Sequence, residues 1–329
     1  MTGEQIIYAY ARFLASQPTP GEIIHAAQNC TTDTKHNCYL QLDPRIFSEP
    51  RGKRKNLLVY SSCHCEQITD YLTRYRQDVL DRYYLHCLMT HRMSLARPES
   101  NNRLVHAMFA EADAVIWNVL GPKFEEQSTD VLGKYLKADA QVVSFVPPCF
   151  AAFWPIAEFF GEEGVVEYLV AERTAEDIIA IFRSGRFECQ FAWRFKDQIE
   201  RLAFREKDRD VKLSAFVSRN YINHKLFLTV NHPTYPTVAY IVESCLGYLG
   251  FKELGEDHCL AREVNECGFG AHLPETDYEF RHYGFKYPLR FPNERGGADA
   301  YYTALIRDAA LRWKARGGGL HYTSKEDDY

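Results

Sequence analysis

With 329 residues, 46% of them hydrophobic and 25% charged, the chain is long enough for one large core or two modest ones and has an ordinary globular composition. A net charge of −5 excludes the basic balance of a typical nucleic-acid binder, and the most apolar stretches, residues 142–160 and 238–251, are broken by Pro, Gly or Glu, so no membrane span is expected. The first residues lack a basic segment followed by an apolar run, which sets the expectation at a cytoplasmic protein.

Residues 1–52 read as an N-terminal extension. Helical spacing covers 5–16, Thr19-Pro20 can open a second short helix, and 29–50 is rich in loop formers. The cluster Arg51-Gly52-Lys53-Arg54-Lys55 reads as a solvated strand entrance. The core opens with the continuous apolar run Leu57, Leu58, Val59, Tyr60, the pattern of a strand buried on both faces. A turn follows at Ser61-Ser62-Cys63-His64. A helix comes next, with Ile68, Tyr71, Leu72, Tyr75 and Val79 on one face. Strands are predicted at 83–89, 114–120 and 141–146, with helices at 101–112 and 131–136 between them. This alternation predicts an α/β fold with a mostly parallel sheet flanked by helices, whose ligands bind at the strand carboxyl ends. The turn at 61–64, Asn118 and Pro147 all fall on that edge.

The second half is more helical, with helices predicted at 176–183, 190–205 and 213–221. A buried strand at 226–230 runs into Asn231-His232-Pro233-Thr234, and a helix is predicted from about Thr237 to Tyr248. A loop-rich stretch over 256–297 leads to an amphipathic helix at 298–316 and a tail. The expected organisation is thus an extension (1–52), an α/β core with the site (53–255), and a loop-rich segment with a C-terminal helix and tail (256–329).

Ten cysteines are scattered along the chain with no C-x-x-C pair, which predicts free thiols and no metal site. The crowding of Cys63, His64, Cys65, His86, Cys87 and His91, and of Cys30, His36 and Cys38, matches no common zinc spacing. Phosphate-loop glycine motifs are absent as well.

Two segments carry chemistry. A cysteine at a strand-to-helix turn sits beside the free N–H groups and positive pole of the helix, which favour the thiolate. A serine there is an oxyanion donor or itself a nucleophile. The plainer reading is a small residue closing a tight turn. His232 has a matching place after a strand. Pro233 restricts it to extended backbone, and a base for a hydroxyl or thiol is the chemical reading. Thr234 or Thr237 can cap the helix that follows.

The order of these pieces resembles a known family. A strand ends in a small-small-Cys-polar turn. An Asp-led strand ends in an amide (Asp113 to Asn118), and a Pro-rich stretch follows a further strand (Pro147-Pro148-Cys149-Phe150 to Trp154-Pro155). Arg205-Glu206 precedes Val211-Lys212, and Lys225 begins a run ending Asn231-His232-Pro233-Thr234. Together this resembles the WcbI family of polysaccharide-biosynthesis proteins over roughly residues 55–252. The first turn departs from that family's Gly-Asn-Cys-Gln. Cys63 is in register, while Ser61, Ser62 and His64 are this chain's own.

The resemblance implies an O-acyltransferase using coenzyme A or acetyl-CoA as acyl donor and a saccharide or glycan hydroxyl as acceptor, in capsular or cell-surface polysaccharide synthesis. It implies Cys63 and His232 as catalytic residues. Ser61, Ser62, His64, Asn118, Asn231 and Thr234 would line the substrate or oxyanion. Arg205, Lys212, Arg219 and Lys225 are the candidate partners of the coenzyme phosphates, and Phe150 and Trp154 of its pantetheine arm. A serine-hydrolase-like carbohydrate esterase or deacetylase, and a non-catalytic glycan- or partner-binding protein, are the alternatives. A homo-oligomer is left open.

Overall fold

The computed structural model describes residues 40, 41, 43, 45, 49, 53–90, 98–154, 173–184, 191–266, 268, 272–275, 277–288 and 297–315, with backbone alone at 40, 41, 98–104, 191 and 278. The expected helices of the N-terminal extension, the metal-ligand candidates Cys30, His36, Cys38 and His91, and the C-terminal tail lie outside the described residues. The chain divides into two units: Met1–Pro147 with Arg205–Lys212 and Tyr235–Cys267, and Pro148–Phe204 with Leu213–Thr234 and Gly268–Tyr329.

The first unit is built on a five-stranded sheet of β1 (Leu40–Gln41), β2 (Lys55–Ser61), β3 (Tyr83–Met89), β4 (Ala114–Asn118) and β5 (Gln141–Phe145), in the order β1-β3-β2-β4-β5. β1 is antiparallel to β3, and the other four strands are parallel. The apolar runs form central strands because both faces are covered. Every residue of β3 is buried, and so are residues 57–61 of β2. Alternation sorts the side chains. Leu58, Tyr60 and Val115 meet Val105, Met108 and Phe109 of α3 (Pro98–Glu111) in one apolar cluster. Leu57, Val59 and Ser61 point to the opposite face. There α1 (His64–Tyr75) packs on β2 and β3, α8 (Tyr235–Tyr248) packs on α1 and β5, and the short α9 (Glu256–Leu260) packs on α8, while the one-turn α4 (Thr129–Leu132) precedes β5.

The strand order has a functional consequence. From β2 the chain crosses to β3 on one side, and β4 then lies on the other side of β2. The carboxyl ends of β2 and β4 therefore flank a topological switch point, where connections leave in opposite directions and a crevice opens.

The helix predicted to run from the first turn through Val79 instead stops at Tyr75. Arg76 leaves helical backbone (φ −127°, ψ 62°), and Val79 belongs to the separate α2 (Gln77–Arg82). The guanidinium explains the break. It is 2% exposed and donates to Glu243 of α8 at 2.6 Å and to Asp78 at 2.9 and 2.8 Å. Glu243 also accepts from Tyr71 Oη and from the Leu254 N–H, each at 2.9 Å. Burial works against the Arg76 charge, but the bonds to Asp78 and Glu243 outweigh it and raise its pKa above the ordinary value.

The free-thiol expectation also needs correcting. Cys65, in the first turn of α1, and Cys87, on β3, are joined as a disulfide with Cα atoms 6.1 Å apart. They lie 22 positions apart in sequence, and only the packing of α1 on β3 brings them together. Beside them His86 is held structurally. Its Nδ1 accepts the Asp43 N–H at 3.3 Å, and its Nε2 faces Asn56 Oδ1 at 3.1 Å. Among the described residues no group of three or more His, Cys, Asp or Glu is arranged to hold a metal ion, and no helix is long and apolar enough to cross a membrane.

The second unit contains α5 (Ala175–Arg183), α7 (Leu213–Asn220), α10 (Asp277–Tyr283), α11 (Gly297–Ala315) and most of α6 (Phe191–Glu206). A capping box between Thr174 and Asp177 starts α5, which packs on α11. The core is aromatic. Phe150 and Phe153 pack with Phe195, Phe227 and one another at centroid distances of 4.8 to 6.2 Å, and Tyr283 and Phe285 extend the cluster. The strand expected at 226–230 is shorter than predicted. Phe227–Thr229 (β6) pairs antiparallel with His232–Pro233 (β7) in a sheet of its own. An apolar run reports burial and not the strand's partner.

Candidate functional site

In the first unit the candidate residues assemble at the switch point. Ser61 ends β2. Cys63 follows at the N-cap of α1 with helical backbone (φ −54°, ψ −22°), and the Cys65 N–H returns to the Ser62 carbonyl at 3.0 Å. The Cys63 thiol is half-buried at the N-terminal end of α1, the positive pole of the helix. Ser62 Oγ lies 3.9 Å from Cys63 Sγ and 2.9 Å from His64 Nδ1, so hydroxyl, thiol and imidazole of three consecutive residues form one chain of contacts. His64 is 4% exposed.

Asn118 ends β4 on the neighbouring strand. The register pairs Tyr60 with Trp117, so Ser61 and Asn118 are the next rung and share the face covered by α1. Both are essentially buried, at 0% and 1% exposure, yet Ser61 Oγ and Asn118 Oδ1 have no hydrogen-bond partner. An orphaned buried polar atom costs about 1–3 kcal/mol, so two on one rung at a switch point single this edge out as the candidate site. Sequence reading placed both residues on this edge. It had no means to show that their polar atoms lack partners.

Two further candidates belong to this unit. Arg205 is partly exposed near the end of α6. Lys212 is exposed but folds its ammonium onto the carbonyls of Glu206 and Lys207, the latter at 2.8 Å.

The second unit holds the other group. β6 and β7 form a tight hairpin whose turn is Val230-Asn231, with Thr229 opposite His232. Thr229 Oγ1 donates to Asn231 Oδ1 at 3.1 Å and lies 2.6 Å from His232 Nδ1. With its one proton on Asn231, the hydroxyl accepts from Nδ1–H, which puts the imidazole lone pair on Nε2. His232 is partly exposed and extended before Pro233, as expected from the sequence. Thr234 is fully buried, and its Oγ1 donates to the Lys225 carbonyl at 2.9 Å.

Three residues expected at a coenzyme instead serve the interior of this unit. Lys225, 6% exposed, is ion-paired with Glu275 at 2.7 Å. Burial pulls the Lys225 pKa below its ordinary value and pushes that of Glu275 above it. Phe150 and Trp154, each at 0% exposure, belong to the aromatic core. Long aliphatic and aromatic side chains read alike as core or as ligand groove in sequence, and packing decides between them. Arg219 is exposed at the end of α7.

A parallel, helix-covered sheet with a thiol and unpartnered polar groups at its switch point is the layout of an α/β enzyme. The model of the family described as polysaccharide biosynthesis enzyme WcbI matches residues 56–254, more than half of the chain, and the chain belongs to that family. A solved structure of WcbI, described as the native protein without a disulfide bond between coenzyme A and a cysteine, is 17% identical. That likeness covers 80% of this chain and 98% of the other, at a TM-score of 0.47. No curated protein matches the chain.

Proposed function

We propose that the chain is a coenzyme A-dependent O-acyltransferase that transfers an acyl group, most simply acetyl, to a saccharide hydroxyl in capsular or cell-surface polysaccharide synthesis. Membership of a polysaccharide-biosynthesis enzyme family supports the pathway, and the resemblance implies the donor. The observation that carries the reading is the rung of Ser61 and Asn118 beside Cys63. A hydroxyl donor, an amide oxygen acceptor and a nucleophile stand together at the switch point, with both polar atoms unpartnered.

These residues suit the donor. Acetyl-CoA supplies an activated acyl group on a thiol leaving group. Ser61 Oγ can donate to an acyl carbonyl oxygen, and the N–H groups at the start of α1 can steady charge that develops there. Asn118 Oδ1 can accept from an amide N–H or a sugar hydroxyl. Cys63 serves either as the nucleophile that carries the acyl group between donor and acceptor or as a wall of the site during direct transfer. Partly exposed Arg205 and exposed Arg219 stay as candidates for phosphate contacts.

Isothermal titration of the full chain with coenzyme A, followed by acetyl transfer to sugar acceptors, tests the reading. Binding that weakens in Ser61→Ala and Asn118→Ala, with transfer lost in Cys63→Ala, is the expected result. No binding at millimolar coenzyme A overturns it. His232→Ala tests separately the expectation that this imidazole is the acceptor base. The contact between Ser62 Oγ and His64 Nδ1 favours a second reading, a serine-type carbohydrate esterase. Turnover of a simple aryl acetate that disappears in Ser62→Ala and survives in Cys63→Ala would select it.

A further inference from the structure

The chain departs from the Gly-Asn-Cys-Gln pattern at the residues on either side of Cys63, and in the structure these two residues bond to each other. Ser62 Oγ is 2.9 Å from His64 Nδ1 and 3.9 Å from Cys63 Sγ, within reach of a sulfur hydrogen bond. The cluster does not depend on the thiol alone, because the buried and unpartnered Ser61 Oγ and Asn118 Oδ1 lie on the adjoining rung and mark the same edge as a ligand site. We propose that Ser62 and His64 form a proton relay that activates Cys63, rather than only closing the turn.

The inference rests on reading Cys63 as the reacting thiol. As the S–H proton passes to Ser62 Oγ, the Ser62 hydroxyl proton passes to His64 Nδ1. The products are a thiolate and an imidazolium, with no other reactant consumed. His64 acts through Ser62 and is a positioning residue, while Cys63 meets the substrate. Burial restricts the ring, and its place in the first turn of α1 holds Nδ1 toward the serine. The other titratable groups around α1 are Glu66, Asp70, Tyr71, Arg74 and Tyr75 on α1, Arg76 directly after it, His86 on β3, Tyr235, Glu243 and Cys245 on α8, and His258, Cys259, Arg262 and Glu266 beyond α8. Asp70 is bonded to Arg74 and Tyr235, His86 to Asn56, and Glu243 to Tyr71 and Arg76. All of them stay in place in the variants below, so a change in profile isolates the relay.

The test is alkylation of Cys63 by iodoacetamide in the full chain without coenzyme A. Fragment masses that separate Cys63 from Cys65 give its rate between about pH 5 and pH 9. Buried Cys245 and Cys259, whose thiols burial holds above their ordinary pKa, react slowly and serve as internal controls. Wild type is expected to reach its plateau rate well below the ordinary thiol pKa of about 8.5. His64→Gln and Ser62→Ala are expected to return the midpoint to about 8.5 and slow labelling near neutrality about tenfold. Ser62→Thr, which keeps the hydroxyl, restores most of the rate. Circular dichroism and melting confirm folding, and Ser62→Ala, at a partly exposed position, serves if His64→Gln does not fold.

A wild-type midpoint already near 8.5, unchanged profiles in the folded variants, or Ser62→Thr behaving as Ser62→Ala would each overturn the relay. Because labelling needs neither coenzyme A nor an acceptor, an intact relay without coenzyme binding would count against the proposed function alone.

Discussion

Replacing Glu243 with alanine removes one carboxylate and strands three donors. In the structure Glu243 accepts from Arg76 at 2.6 Å and from Tyr71 Oη and the Leu254 N–H at 2.9 Å. Arg76 is left with Asp78, which is half exposed and pairs with it through both of its oxygens. Removing one member of a buried ion pair costs about 3–5 kcal/mol, because the surviving charge stays desolvated. The bond to Asp78 retains part of the Arg76 stabilisation, while the orphaned Tyr71 hydroxyl and Leu254 amide add to the loss, so a value near 4 kcal/mol is expected. The double variant Arg76→Met, Glu243→Leu removes both charges and should recover roughly half of it or more. Urea denaturation followed by far-UV circular dichroism measures this, with the first transition analysed separately if the two units unfold apart. The damage should extend to the site, since this network ties α8 to the helix that carries Cys63 at its N-cap, and Cys63 alkylation rates should lose their wild-type profile. A Glu243→Ala cost below about 1 kcal/mol, or a double variant no more stable than the single, would refute the argument, since the pair would then be no better than a surface bridge.

Asp43 offers a test in acid. Burial alone would raise its pKa, but bonds from the Arg45 side chain and from the Leu85 and Arg45 N–H groups outweigh it and leave the carboxyl below its ordinary value. A depressed carboxylate stabilises the fold above its unfolded pKa and loses that contribution as pH falls through the folded one. Asp43→Asn should therefore cost about 1–3 kcal/mol at neutral pH, and the gap should close in acid below about pH 4, as followed by urea titrations across pH. A gap independent of pH would contradict the assigned bonds. In the second unit, Glu275→Ala strands the Lys225 ammonium and should destabilise by about 3 kcal/mol, whereas Lys225→Met with Glu275→Leu should be close to neutral in chemical denaturation. Coenzyme A affinity should be unchanged in that double variant, because the ammonium is engaged with Glu275.

Much of the first unit can be read from the chain alone. The run Leu57 to Tyr60 and the run from Ala114 are buried on both faces and could only be central strands, while helical spacing from Ile68 requires α1 to follow. The turn between them therefore had to lie at a sheet edge, with Cys63 on it. Local sequence determines these features because burial periodicity and backbone preference act over a few residues. Partners distant in sequence are different. Arg76 and Glu243 are 167 residues apart, Cys65 and Cys87 are 22 apart, and the strand order that makes β2 and β4 neighbours follows from no local pattern. Long-range packing also decided that β6 pairs with β7 outside the parallel sheet, and that Lys225, Phe150 and Trp154 are interior residues. Even the bond from Ser62 to His64, between residues two apart, needed the fold. Burial of the imidazole under neighbouring elements is a tertiary effect, and with it in place the same four residues become a thiol flanked by a base and its relay.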